Sequence, residues 1–252
     1  MGILDICIIA VAGFCSGLIK TGVGIGSGVF LLPTLSLAFP AKTALGLGAP
    51  LMLASDIIGL RFYWKQWTSS SELLRIMLAA VPGLLVGTIL LPIIPAMGFR
   101  IGVGVFGMTF ALCHLFPGFA PVVLLKSSMS GINKQLEGRQ IYFYGALGGI
   151  ATVLAHAGGL VWSLYLMTSI KDRRIFVGTI VLMFFITNIY KTVAYVFIGT
   201  ISIEELMAVL PAIPAVWAGS AIGNAANKRM NQEFFRRLVL VVVLLVSAKL
   251  CF

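Results

Sequence analysis

Five titratable side chains stand inside long apolar stretches of this 252-residue chain: Lys20, Asp56, His114, His156 and Lys191, with the amide Asn188 among them. A charge in such surroundings costs about 3 kcal/mol on membrane-insertion scales, so each one needs a reason. Lys20 opens the run Lys20-Thr-Gly-Val-Gly-Ile-Gly-Ser-Gly28. A cation beside uncovered backbone N–H groups is anion-binding chemistry. Thr21, Gly22, Gly24 and Gly26 permit close approach, and a half-helix starting there would aim its positive dipole end at the ligand. The competing role is a lysine that snorkels to a headgroup above tightly packed glycines. No Gly-Lys-Ser/Thr ending follows, so the run is not a nucleotide-binding loop.

His156 stands in a second glycine-containing stretch, beside Gly158 and Gly159. It suits an anion ligand or a carrier of a coupling proton, since imidazole titrates near neutrality; a packing role is the alternative. Lys191 either adds a second cation to the same cavity or forms an ion pair with Asp56. Asp56 and Asn188 line that cavity in a coupling role or bond structurally. His114, next to Phe116-Pro117, belongs to a span end. No nucleophile, metal-ligand cluster or carboxylate pair accompanies these residues, so no enzyme, metal or cofactor is expected.

The elements that must position these groups are membrane helices. Hydrophobic residues make up 60% and charged residues 10% of the chain, and the mean hydropathy is +1.06; a soluble domain carries about a quarter charged residues. The net charge of +10 reads as topology-setting Lys and Arg in short loops, not as a nucleic-acid surface. Cys7, Cys15, Cys113 and Cys251 lack metal or redox spacing and serve as small apolar residues. The N-terminal apolar run lacks the basic start of a cleaved signal and is expected to be retained.

Apolar segments fall at 3–39, 43–62, 72–96, 100–125, 141–169, 175–199, 205–226 and 235–252. Residues 126–140 form the longest polar interruption and are expected to be a cytoplasmic connector between two transmembrane repeats, 1–125 and 141–252. A shift of 132 positions lays Gly13, Gly17, Gly26 and Gly46 on Gly145, Gly149, Gly158 and Gly178, and Asp56 on Asn188. A shift of 136 then lays Gly83, Gly87, Phe99 and Arg100 on Gly219, Gly223, Phe235 and Arg236. The pattern predicts an internal duplication.

The first segment of each half is too long for one span and is cut by its glycine stretch, which predicts a hairpin that enters, breaks and returns to the same side. Charge supports that drawing. With hairpins, one face receives only Lys42, Arg100 and Lys249, while Lys20 and Lys191 stay inside and the other thirteen of 18 basic residues share the second face. With single crossings the split is nearly even, so the positive-inside rule favours hairpins, with both termini outside the cytoplasm. The expectation is an all-α membrane protein of two inverted-topology repeats, each a broken or re-entrant helical hairpin followed by three transmembrane helices. Trp64, Trp67, Tyr63 and Tyr142 flank span ends as interfacial residues.

The motifs Gly13-Phe-Cys-Ser-Gly17, Lys20 to Gly28, Pro33, Ala155-His-Ala-Gly-Gly159, Tyr165-Leu, Phe176-Val-Gly-Thr179, Phe184-Phe185, Asn188 and Lys191 together resemble the TauE/SafE family of sulfite exporters, over nearly the whole chain. The second break carries His156 and Leu160 where that family commonly has Asn and Pro. The resemblance implies a multi-pass carrier in a bacterial inner membrane that exports sulfite, sulfoacetate or a related organosulfonate. Its expected partners are a small anionic substrate and the lipid bilayer, with a homodimer admissible and nucleic acid excluded. A carboxylate or sulfate is the alternative cargo, and a membrane enzyme or scaffold the alternative class.

Overall fold

A computed structural model describes residues 2–23, 27–116, 134–227 and 232–251. These residues are almost entirely helical and contain no strand. The first half comprises α1 (Ile3–Val23), α2 (Ser27–Leu35), α3 (Ala41–Phe62), α4 (Ser70–Ile93) and α5 (Ala96–Leu115). In the second half follow α6 (Lys134–Ala155), α7 (Gly158–Ser169), α8 (Arg173–Phe197), α9 (Ile203–Val209), a 3-10 turn at Leu210–Ala212, α10 (Ile213–Asn227) and α11 (Gln232–Cys251). Of the connector, residues 126–133 lie outside the described residues, and Lys134 to Gln140 form the first turns of α6.

Among the described residues, six stretches are long and apolar enough to cross a membrane: Ile3–Thr21, Ala41–Phe62, Ser70–Ile93, Ala96–Leu115, Arg174–Phe197 and Ile203–Ala225. α4 shows why the surrounding solvent is lipid. Ile76, Ala80, Gly83, Leu84 and Gly87 are buried against protein, whereas Leu74, Leu78, Leu85, Ile89 and Ile93 on its other face are exposed and equally apolar. A helix apolar all round is stable only where hydrocarbon surrounds it. Local signals set the helix starts: Ser69 caps α4, Asp172 caps α8 through the N–H groups of Arg174 and Ile175, and Ser202 with Glu205 closes a capping box on α9.

Both long first segments are broken. α1 ends at Val23 and α2 begins at Ser27, while Gly24, Ile25 and Gly26 lie outside the described residues. α6 ends at Ala155, and the next residue, His156, has a φ of 52° that puts a non-glycine residue in the left-handed region. The N–H of Ala157 reaches back to the carbonyl of Ala151 at 3.1 Å, closing the helix end much as a glycine cap would. From that point α7 returns along α6: the Trp162 indole donates to the Gly145 carbonyl at 3.3 Å, and the Tyr144 and Tyr165 rings lie 6.4 Å apart. The second segment is therefore a helical hairpin, and α2 likewise packs back on α1.

Packing crosses between the halves in matched pairs. α1 lies on α10 and α6 on α4, while α3 meets α8 and α5 meets α11. A methyl group on Gly17 would strike the Val216 carbonyl, and one on Gly149 the Ala80 carbonyl; on Gly83 it would strike Ala146, and on Gly219 Phe14. Each of these contacts is the other's equivalent under the shifts of 132 and 136 positions. The loops after α3 and α8 repeat the pattern: Gln66 seats on Gly178, and Ile201 on Gly46. The equivalent helices α3 and α8 run antiparallel, since Gly46, Asp56 and Gly59 meet Ile201, Asn188 and Val181 in turn.

Candidate functional site

At the α3–α8 crossing, where Lys20 of α1 and His156 at the turn of the second hairpin also reach, the polar side chains predicted from sequence converge. Lys20 and Asp56 form an ion pair, and the Lys20 ammonium also donates to the Met52 carbonyl at 3.4 Å. The second Asp56 oxygen accepts from the Asn188 amide nitrogen at 2.6 Å. Asp56, Asn188 and Lys191 have no solvent-exposed surface, His156 is 2% exposed and Lys20 6%. Breaking one partner out of such a buried pair costs several kcal/mol, so the arrangement is strongly constrained.

The sequence left open whether Lys191 or another residue pairs with Asp56. The structure assigns Lys20 to it, because α1 carries Lys20 onto α3 at Met52 and Asp56, whereas Lys191 lies on α8 facing the second hairpin. Lys191 Nζ contacts Thr152 Oγ1 at 3.2 Å, the Thr152 carbonyl at 3.3 Å and His156 Nδ1 at 2.8 Å. His156 Nε2 faces the Leu45 carbonyl at 3.0 Å. A carbonyl only accepts, so Nε2 carries the imidazole hydrogen and Nδ1 presents its lone pair to Lys191. Three acceptors around Nζ match the three N–H groups of an ammonium. With Lys191 as an ammonium, the imidazole is neutral and Lys191 is held by neutral acceptors alone.

The charge count follows directly. Lys20 and Asp56 cancel, His156 is neutral, and Lys191 contributes one positive charge with no carboxylate paired to it; Lys20–Asp56 is the one ion pair among the described residues. A buried charge without a counter-charge is expensive in stability and is the kind of feature retained for a ligand.

The other predicted residues divide. Gly159 admits the Phe184 ring, and that ring lies 5.3 Å from the Lys20 ammonium as a cation–π partner. Gly158 rests against Thr152. Both belong to the first turn of α7, whose leading N–H groups point toward the hairpin tip. Thr21 is placed elsewhere: its hydroxyl bonds the carbonyls of Gly17 and Ser220, 3.0 and 2.7 Å away, at the α1–α10 contact. Gly22 sits in the last turn of α1, and Gly24 and Gly26 lie outside the described residues. His114 ends α5 and bonds the Phe110 carbonyl at 2.9 Å, away from the cluster.

Two contributors escaped sequence reasoning. Thr152 holds Lys191, and it is the residue that the 132-position shift lays on Lys20. That same shift, applied to Lys20 itself, would have found it. Gly48 is the second, lying against the His156 ring, while Gly28, the last glycine of the first break, lies against the His156 carbonyl. A side chain at either position would push His156 off Lys191.

Helices long and apolar enough to cross a membrane, with the cations Lys20 and Lys191 buried among α1, α3, α6 and α8, have the build of a multi-pass membrane protein. The family model for Sulfite exporter TauE/SafE matches residues 9–250. The chain therefore belongs to the TauE/SafE sulfite exporter family, a family of membrane transporters and not of enzymes. No curated protein and no solved structure matches it.

Proposed function

We propose that the chain is a secondary transporter that exports a small sulfur oxyanion, sulfite or an organosulfonate, across a bacterial inner membrane. The observation that carries the reading is the buried Lys191 ammonium, whose charge no carboxylate balances, beside the first turn of α7. An anion entering there meets Lys191, the N–H groups of Gly158 and Gly159, and Lys20 one ion pair further on. His156 orients Lys191 through Nδ1, while Asp56 and Asn188 line the floor of the same cavity. The sequence assigns the backbone N–H groups of Gly22, Gly24 and Gly26 to the same anion.

Alternating exposure of this cluster to the two sides is the transport step. It is supported by the reciprocal glycine contacts and by the antiparallel course of the equivalent helices α3 and α8, the relation expected of inverted repeats. The distribution of Lys and Arg supports hairpins on one side and both termini in the periplasm.

Reconstituted vesicles loaded with unlabelled sulfite test this reading through uptake of labelled sulfite by exchange. Wild-type protein should exchange it, and Lys191→Gln should reduce the rate at least tenfold. Vesicles that exchange acetate or another carboxylate while leaving sulfite and organosulfonates untouched would replace the proposed substrate class.

A further inference from the structure

We propose that the site selects a singly charged anion, and that Asp56 is the residue that sets this charge preference. The inference rests on the anion-site reading above and deepens it. Three ionised groups define the core: Lys20 from α1, Asp56 from α3 and Lys191 from α8. With His156 neutral, they sum to one positive charge. A monoanion brings the buried cluster to neutrality, whereas a dianion leaves one negative charge without a partner in a site sealed from water. At the short distances and low effective dielectric of such a site, one unit of charge imbalance outweighs most differences in hydrogen bonding.

The geometry makes Asp56 the deciding group. Its two oxygens are used by Lys20 and by the Asn188 amide, so it acts as a resident anion that neutralises Lys20 and leaves Lys191 as the unbalanced charge. The Asn188 carbonyl oxygen, buried beside it, has no hydrogen-bond partner among the described residues. This acceptor offers nothing to an anion, so the Asp56–Asn188 side of the cluster repels negative charge and the Lys191–Thr152–His156 side attracts it. Sulfite near neutral pH is a mixture of mono- and dianion, and this core takes the bisulfite form. Organosulfonates with one sulfonate group qualify as well.

Methanesulfonate and sulfate are the discriminating probes. Both present tetrahedral sulfur–oxygen groups of similar size, both are fully ionised at neutral pH, and they differ by one charge. Equilibrium binding of labelled methanesulfonate and labelled sulfate to the purified full-length protein, at constant ionic strength, should favour methanesulfonate at least tenfold. Asp56→Asn raises the core to two positive charges and should move the ratio at least tenfold toward sulfate.

Combining Asp56→Asn with Lys191→Gln returns the core to one positive charge, now on Lys20, and should restore the methanesulfonate preference. Wild-type protein that binds sulfate as well as methanesulfonate overturns the proposal, even if neither variant folds. So does an Asp56→Asn protein, monomer profile and melting intact, whose ratio stays at the wild-type value. Failure of the wild type to bind or exchange any sulfur oxyanion, sulfite included, would instead remove the underlying site reading.

Discussion

Asp56 and Asn188, separated by 132 positions and equivalent in the two halves, bond to each other: the amide nitrogen of Asn188 donates to the Asp56 carboxylate at 2.6 Å. Two equivalent residues can meet only where the relation between the halves maps their contact onto itself. The polar cluster is therefore centred on the junction between the halves, and its residues differ between them in type: a carboxylate against an amide, Lys20 against Thr152, and Lys191 against Gly59.

Asn188→Ala should lower stability by about 1–3 kcal/mol, because it leaves a fully buried carboxylate oxygen without its donor. Thermal melting in detergent measures it. A melting temperature equal to wild type would mean that water or a rearranged side chain replaces the amide.

Lys20→Ala strands the Asp56 carboxylate and should destabilise by roughly 3–5 kcal/mol. The double variant Lys20→Ala/Asp56→Ala should lose less than the two single changes summed, by about 0.5–3 kcal/mol of coupling. A double-variant cycle read by melting or denaturant titration checks this, and strict additivity would deny the ion pair.

Gly83→Ala and Gly219→Ala should harm the protein to similar degrees. Each added methyl runs into a backbone carbonyl of the other half, Ala146 or Phe14, and overpacking of that kind typically costs about 1–3 kcal/mol. Gly98→Ala and Gly102→Ala, with nothing within 4 Å, should be neutral or stabilising by up to about 1 kcal/mol through helix propensity. Expression level and melting of the four variants compare them directly.

His156→Ala removes the bonds to Lys191 and Leu45 and keeps a Cβ on a backbone whose φ is 52°. His156→Gly loses the same bonds but relieves the left-handed strain, so it should melt higher than His156→Ala, by an amount corresponding to about 1 kcal/mol. The reverse order would mean that the hairpin tip rebuilds when the ring is gone.

Much of this architecture was legible in the chain. The glycine spacing at shifts of 132 and 136 positions predicted pairs that the structure places in reciprocal contact, and the overlong first segments predicted broken helices. What stayed hidden was direction around each helix. α1, α3 and α8 are apolar on nearly every face, so periodicity carries no sign of which residues turn inward, and the choice between Lys20 and Lys191 as the partner of Asp56 could not be made. The second break was placed in the stretch that holds His156, and the turn falls there. That the histidine itself takes the left-handed backbone, packed against Gly28 and Gly48, no local signal announces.

The clasp of α1 by α10 and of α6 by α4 bears on how the molecule can change shape. Glycines let those backbones touch, so sliding one half of the chain past the other would tear open close-packed seams. The pieces able to travel intact are hybrids, each made of helices from both halves of the chain. Separately produced halves would accordingly each present a glycine-lined furrow with nothing to fill it, and should accumulate only when made together.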